Sequence, residues 1–275
     1  DVCSSDLCVK MLSVKKTTKS SRKLTLVTSS VSKVKLMSAC VEPKGEAPVC
    51  PARQSSQLSV PLVIRGPGSA AHQLGAQHSQ SLEAWFCHVP GLKVVAPATP
   101  HDAKGLLKSA IRDNNPVIFI EAQLLYGTKG EVGEGEYTLP LGQADVKREG
   151  TDVTVVAYSK MLLVALEAAE QLSHEGLDVE VIDPRTLKPL DLQTIVTSVR
   201  KTGRLVIVEE GWRFCGLGAQ IAESIYSAAF DYLDAPIARV TGEDVPIPYS
   251  RPLEDAAIPD VPRVVAAVKS MCGAA

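Results

Sequence analysis

Residues 61–126 read PLVIRGPGSAAHQLGAQHSQSLEAWFCHVPGLKVVAPATPHDAKGLLKSAIRDNNPVIFIEAQLLY, and this stretch decides the fold. Short apolar runs hand over through Gly, Pro or Asn to amphipathic segments. LSVPLVIRG, from Leu58, is a β-branched run that stops at Gly66-Pro67-Gly68, so it predicts a strand and a turn. SQSLEAWFCHV places Leu82, Trp85, Phe86 and Val89 on one helical face, and Pro90-Gly91 ends it. LKVVAP is the next strand, and Thr99-Pro100 caps a helix over DAKGLLKSAIR. DNNP then turns the chain into VIFIEA, a near-continuous apolar run of the kind buried on both faces of a parallel sheet.

Beyond a Gly- and Glu-rich loop at 127–142, read as a linker, the same alternation resumes. TDVTVVAYS predicts a strand and KMLLVALEAAEQLSHEG a helix closed by Gly176. LDVEVIDPRTLKPL reads as strand and turn, DLQTIVTSVRK as helix, RLVIVEEG as strand. GLGAQIAESIYSAAF is a helix, PIARVTG the last strand, and PRVVAAVKSM the closing helix. Strands and helices alternating at this spacing give an α/β fold: a doubly wound, mainly parallel sheet covered by helices on both faces.

Residues 1–59 differ in kind. They hold ten Lys/Arg against four Asp/Glu, and no acid lies between Met11 and Val41. A basic, Ser-rich, acid-poor segment matches an organelle transit peptide. Two other readings stand beside it: sequence foreign to the natural protein, or a domain of its own. Little stable structure is expected there. The organisation is thus 1–59 atypical and disordered, 60–135 a partial first domain, and 143–275 a second α/β domain.

Composition narrows the function. With 275 residues, 45% of them hydrophobic, and a net charge of −2, the chain carries no basic footprint for nucleic acid. No apolar run approaches a membrane span. The seven cysteines are dispersed with no CxxC pair, as in a protein of a reducing compartment. P-loop, GxSxG and zinc constellations are missing from the sequence.

Two groups are candidates for chemistry. His78, in GAQHSQ, stands where a Gly-containing loop enters the expected helix. Near exposed backbone N–H groups a neutral imidazole is favoured, able to polarise a carbonyl or shuttle a proton. The commoner reading of a histidine at a helix start is a local hydrogen-bonding residue. The turn from Ala110 to Pro116 gathers helix-end carbonyls with Asp and Asn oxygens, which suits a hard monovalent cation or simply an Asn-Pro turn. Gly216-Leu217-Gly218 lacks a third glycine and lies late in its domain, so close helix–strand packing explains it better than a dinucleotide site. Glu209-Glu210 reads as a strand-end helix cap or interface contact rather than a catalytic pair.

VIRGPG, AQHSQSLEAWF, PGLKVVAPATPHDAKGLLKSAIRDNNPV, VIDPRTLKPLD, VEEGWRFCGLGAQIAE and RVTGEDVPIPY run collinearly through residues 60–275. Together they resemble the beta subunits of the thiamine-diphosphate-dependent first component of 2-oxoacid dehydrogenase complexes, the pyruvate enzymes most of all. That resemblance implies a pyrimidine-binding domain followed by a transketolase-like C-terminal domain. It implies that His78 matches an active-site histidine, and that Leu62, Ala110, Ile111, Asp113 and Asn115 match positions whose oxygens, largely carbonyls, ring a potassium ion. Thiamine diphosphate with magnesium, held mainly by an alpha subunit, is the implied cofactor. The implied partners are that alpha subunit in a heterotetramer, a second beta subunit and a dihydrolipoyl acyltransferase core, with a small 2-oxoacid as substrate. The implied location is the mitochondrial matrix or plastid stroma in a eukaryote and the cytoplasm in a bacterium. No match to the family's cofactor-activating glutamate is found in residues 1–59, so the chain is expected to be a truncated, inactive form, or a dimerisation and docking module.

Overall fold

The computed structural model describes residues 59–70 and 73–273, together with the backbone of 10–15 and 23–28. Two sheets carry the molecule. The first runs β2-β1-β3-β5-β4-β9, from β1 (Lys10–Lys15), β2 (Lys23–Thr28), β3 (Leu62–Pro67), β4 (Lys93–Val95), β5 (Val117–Glu121) and β9 (Thr186–Lys188). The second runs β11-β10-β7-β8-β6, from β6 (Asp145–Arg148), β7 (Val153–Ala157), β8 (Val179–Asp183), β10 (Leu205–Trp212) and β11 (Ala238–Gly242). The central strands of both are parallel: β3 with β5, β4 with β5, β7 with β8, and β10 with β7 and β11. β7 and β8 are buried at every position, Thr154, Glu180 and Asp183 included, as interior strands of a parallel sheet covered on both faces.

The helices follow the sequence signals. α1 is Glu83–His88, α2 Pro100–Arg112, α3 Lys160–His174, α4 Leu192–Thr202, α5 Leu217–Ala229, α6 Arg251–Ala257 and α7 Val261–Met271. Thr99 caps α2 by accepting from the Asp102 N–H at 3.1 Å. Gly176, at φ +86°, turns the chain out of α3 in the left-handed conformation glycine tolerates. Among the described residues no helix is long and apolar enough to cross a membrane.

Three differences from the sequence reading matter. LDVEVIDPRTLKPL holds more than the expected strand and turn: after β8 ends at Asp183, Thr186–Lys188 crosses to pair antiparallel with β4 in the first sheet. α1 is shorter than its periodicity suggests, because the residues before it are committed elsewhere. The Gln80 carbonyl accepts from Ser69 N–H at 3.2 Å, and the Ser81 hydroxyl donates to Glu210 at 3.1 Å. Two strands also lie in the segment expected to hold little structure. KMLSVK and KLTLVT pair antiparallel with each other, and β1 of that pair lies antiparallel along β3. The rest of residues 1–59, and the expectation of disorder there, lies outside the described residues.

The linker segment is pinned rather than free. Tyr137 stacks on His101 with centroids 4.8 Å apart, and Leu139 packs over Gly105 of α2. One continuous core joins the units: Leu92, Val94, Ile118 and Ile120 of the first sheet share it with Val156, Ile182 and Ile207 of the second and with Ile195 and Ile221 of α4 and α5. α2 covers the outer face of the first sheet, and α3 and α7 that of the second.

Candidate functional site

The chain's polar chemistry collects where the strand ends of the second sheet meet the first unit. Three non-glycine residues with left-handed backbone mark that boundary: Ser159 after β7, Arg185 after β8 and Cys215 after β10. Such backbone is retained only where surrounding structure fixes it, and the carboxyl ends of parallel strands are where α/β folds place ligands.

His78 lies in a turn over residues 76–78 and is exposed. It is not at a helix start: α1 begins five residues later, so the argument that a helix N-terminus sets its charge has no structural basis. The turn is fixed from the second unit instead. Gln77 Nε2 donates to the Tyr249 hydroxyl at 2.8 Å, and the Tyr249 ring fills the space beside Gly75, whose φ of +71° suits glycine. The imidazole is therefore presented to solvent on a held loop.

The other predicted residues come together at the opposite end of the first sheet. β3 and β5 pair in parallel with Val63 opposite Val117, and Val60 N–H donates to the Asn114 carbonyl at 2.8 Å. Leu62 thus lies beside the turn bearing Ala110, Ile111, Asp113 and Asn115. The Asp113 carboxylate has no oxygen to spare: Oδ2 pairs with Lys93 Nζ at 2.5 Å, and Oδ1 accepts from Asn115 N and Nδ2, each at 2.8 Å. Burial alone would raise its pKa, but these partners hold it below the ordinary value. A cation here would rest on backbone carbonyls, which remain the donor type a hard monovalent ion prefers.

Glu209 and Glu210 behave as cap and contact. Glu209 is fully buried; it accepts from Gly218 N–H at the start of α5 at 2.9 Å and pairs with Arg239 at 2.6 Å. Gly218 has no room for a Cβ against that carboxylate, so Gly216-Leu217-Gly218 is indeed close packing. Glu210 reaches across to the first unit, where Ser69 Oγ at 2.8 Å and the Ala70 N–H donate to it, and Lys160 pairs with it at 2.5 Å.

A residue the sequence reading passed over completes this cluster. Glu83, in the first turn of α1, is buried, and its pKa is pushed up to about 7 by burial first and then by Glu210 and Glu209. A Glu in the first turn of a helix reads as a solvated, dipole-favoured residue, and nothing local reveals its burial. Tyr158 and Cys87 nearby are raised as well, the thiol to about 12, so neither is a ready nucleophile. Glu83 lines a cavity of about 520 Å³ with Trp85, Tyr158, Glu209, Trp212 and Phe214.

A second cavity of about 240 Å³ opens at the carboxyl ends of β3, β4 and β5, between Arg65, Thr99, Glu121 and Tyr126. Its charges satisfy each other: Arg65 donates to Glu121 through Nε at 2.8 Å and Nη2 at 3.0 Å, and Tyr126 adds a third bond at 2.8 Å. No group of three or more His, Cys, Asp or Glu among the described residues is placed to hold a metal ion.

Comparison with known proteins accounts for this architecture. The transketolase pyrimidine-binding domain family matches residues 49–129, and the transketolase C-terminal domain family matches residues 142–264. The chain is 52% identical over 222 residues to the mitochondrial pyruvate dehydrogenase E1 component subunit beta-2 of Oryza sativa subsp. japonica, covering 79% of this chain and 59% of that protein. It is 53% identical over 216 residues to the pyruvate dehydrogenase E1 component subunit beta of Rickettsia felis, covering 78% and 66%. Among solved structures it is similar to a split-gene transketolase, an inactive beta4 tetramer, with a TM-score of 0.64 and 30% identity over 77% of this chain and 66% of that one. The chain thus spans about two thirds or less of the relatives it matches.

Proposed function

This chain belongs to the transketolase family that joins a pyrimidine-binding domain to a transketolase C-terminal domain, and on that premise we propose that it is a beta-type subunit of a pyruvate dehydrogenase first component. The reaction is oxidative decarboxylation of a 2-oxoacid with transfer of the acyl group to a lipoyl arm. The observation that carries the reading is the 52% identity over 222 residues, together with the matches to both domain families.

In this reading His78 binds the 2-oxoacid and moves a proton at its carbonyl oxygen. An exposed imidazole on a turn clamped by Tyr249 supports the assignment, since a proton carrier needs access and a fixed position. Thiamine diphosphate, when bound, supplies the electron sink that decarboxylation needs. Magnesium and the diphosphate fall to the alpha subunit. The oxygens of Leu62, Ala110, Ile111, Asp113 and Asn115, largely backbone carbonyls, would hold potassium beside the β3–β5 pair. The partners are an alpha subunit and a second beta subunit, assembled on the acyltransferase core. The compartment is the mitochondrial matrix or plastid stroma in a eukaryote and the cytoplasm in a bacterium.

We assign no turnover to this 275-residue chain with an alpha subunit alone, because no cofactor-activating acid is identified in it. A docking role without catalysis is the second reading, favoured by the exposure of Trp85 and Phe214 beside an otherwise complete core. The experiment is co-purification with an alpha subunit, followed by pyruvate-dependent dye reduction with thiamine diphosphate and magnesium. Association without turnover is expected. Restoring the glutamate-bearing half-domain should restore turnover, which His78→Ala then lowers by about 10²-fold at unchanged Tm. Failure to associate, or a His78→Ala variant with full turnover, overturns the reading.

A further inference from the structure

Three carboxylates meet where α1 abuts the ends of β7 and β10, and only two have a cation. Glu209 has Arg239 and Glu210 has Lys160. Glu83 is 6% exposed, and among the described residues no side chain donates to it or pairs with it. Its own backbone N–H donates to it, but a buried carboxyl without a side-chain donor, set beside Glu209 and Glu210, is a place where a positive charge is favoured.

The space beside it suits one kind of positive charge. Trp85, Trp212 and Phe214 line the cavity, and Trp85 and Phe214 are 71% and 81% exposed at its rim. Aromatic faces attract cations whose charge is spread and weakly hydrated, such as guanidinium and alkylammonium groups. A metal ion would instead need converging ligands, and no group of three or more His, Cys, Asp or Glu among the described residues is placed to hold one.

We propose that this cavity binds an organic cation, a guanidinium or alkylammonium group, with Glu83 as counter-ion and Trp85, Trp212 and Phe214 as aromatic walls. The inference stands on the cavity alone and does not depend on the family role. Its failure and the failure of that reading are therefore separate results.

The chain's two tryptophans both line the cavity, so intrinsic fluorescence reports its occupancy directly. The folded chain is titrated at pH 8 and constant ionic strength with n-propylguanidinium and, separately, with its neutral isostere n-propylurea. A saturable change is expected with the cation, at an affinity about tenfold or more above the urea. Glu83→Gln should bring the two within about twofold. Phe214→Ala, at an exposed rim position, should weaken the cation by about threefold and serves as the deciding variant should Glu83→Gln not fold.

Equal affinity for both probes, no saturable change, or a folded Glu83→Gln that binds as before would overturn the site. A third arm identifies the source of the cation. If amidated Gly-Arg-Gly binds at least as tightly as propylguanidinium, the occupant is a side chain of another protein. If the peptide is excluded while propylguanidinium binds, it is a free small molecule.

Discussion

Arg185 of the second unit donates through Nη1 to Oδ1 of Asp102, in the first turn of α2, at 3.0 Å, and both side chains are buried. Lys147 holds the other carboxylate oxygen at 2.7 Å, and Thr99 adds a hydroxyl at 2.6 Å. The remaining Arg185 donors go to the Gln143 and Ala144 carbonyls at 3.0 and 3.2 Å. One carboxylate thus ties the end of the linker, the turn after β8 and the start of α2 together. Burial alone would raise its pKa, but these donors outweigh burial and hold it below the ordinary value.

Asp102→Ala takes the nearest carboxylate from buried Arg185, while half-buried Lys147 keeps Asp145 at 2.6 Å. Removing one partner of a buried pair costs about 3–5 kcal/mol, because the charge left behind has no compensation. Urea unfolding should show a loss of that size. A loss below about 1 kcal/mol would mean that water reaches Arg185 and Lys147, and that the pair does not tie the units together.

Glycine at 218 is required by contact rather than by backbone angle. A Cβ there would strike the Glu209 carboxylate, which is fixed by Arg239 and has no room to retreat. Gly218→Ala should cost about 1–3 kcal/mol through overpacking. Gly127→Ala, where a Cβ meets nothing within 4 Å, should stay within about 0.5 kcal/mol. Equal effects in thermal unfolding would remove the packing account of the Gly216-Leu217-Gly218 segment.

Two buried acids give stability an unusual pH dependence. Glu83 and Asp183 are raised to about 7, both mainly by burial, and one Asp183 oxygen has no hydrogen-bond partner. Unfolded, they ionise near 4.5 and 3.8. Between those values and 7 the folded chain binds more protons, so stability falls as pH rises through that window and levels off above it. Asp102 has the opposite sign: its contribution disappears as pH falls through its lowered pKa. Glu83→Gln should remove part of the loss between pH 5 and pH 8, on the order of 1–3 kcal/mol. A variant whose stability tracks the parent at both pH values would show that Glu83 is solvated.

The α/β order was legible because its signals are local. Apolar VIFIE can only be an interior strand, Thr99-Pro100 is a cap whatever surrounds it, and Gly176 marks a helix end by its own conformational freedom. What escaped was set by partners distant in the chain. Thr186–Lys188 is three residues between prolines and becomes a strand only because β4 offers an edge. Polar DVKR is a strand because it covers the edge of β8. Glu83 looks like any helix-surface acid until α1 packs against β4, β9 and α5. His78 was visible as a residue type in a loop, but its support comes from Tyr249, 171 residues later, which no spacing rule connects to it.

The shared core has a consequence for how the chain unfolds. Inner residues of the first sheet pack in the same cluster as those of α4, α5 and the second sheet, so neither unit keeps its apolar surface covered without the other. The Asp102–Arg185 pair and the Glu210 contacts to Ser69 and Ser81 add to that dependence. The units should therefore unfold together despite their separate sheets. Trp85 belongs to the first unit and Trp212 to the second, so Trp212→Phe and Trp85→Phe leave one reporter in each. In urea the two single-tryptophan variants and far-UV dichroism should give coincident transitions, once the small stability offsets of the substitutions are subtracted. Midpoints separated by more than about 0.5 M, with a plateau between them in dichroism, would show two independent domains joined only by the 127–142 segment.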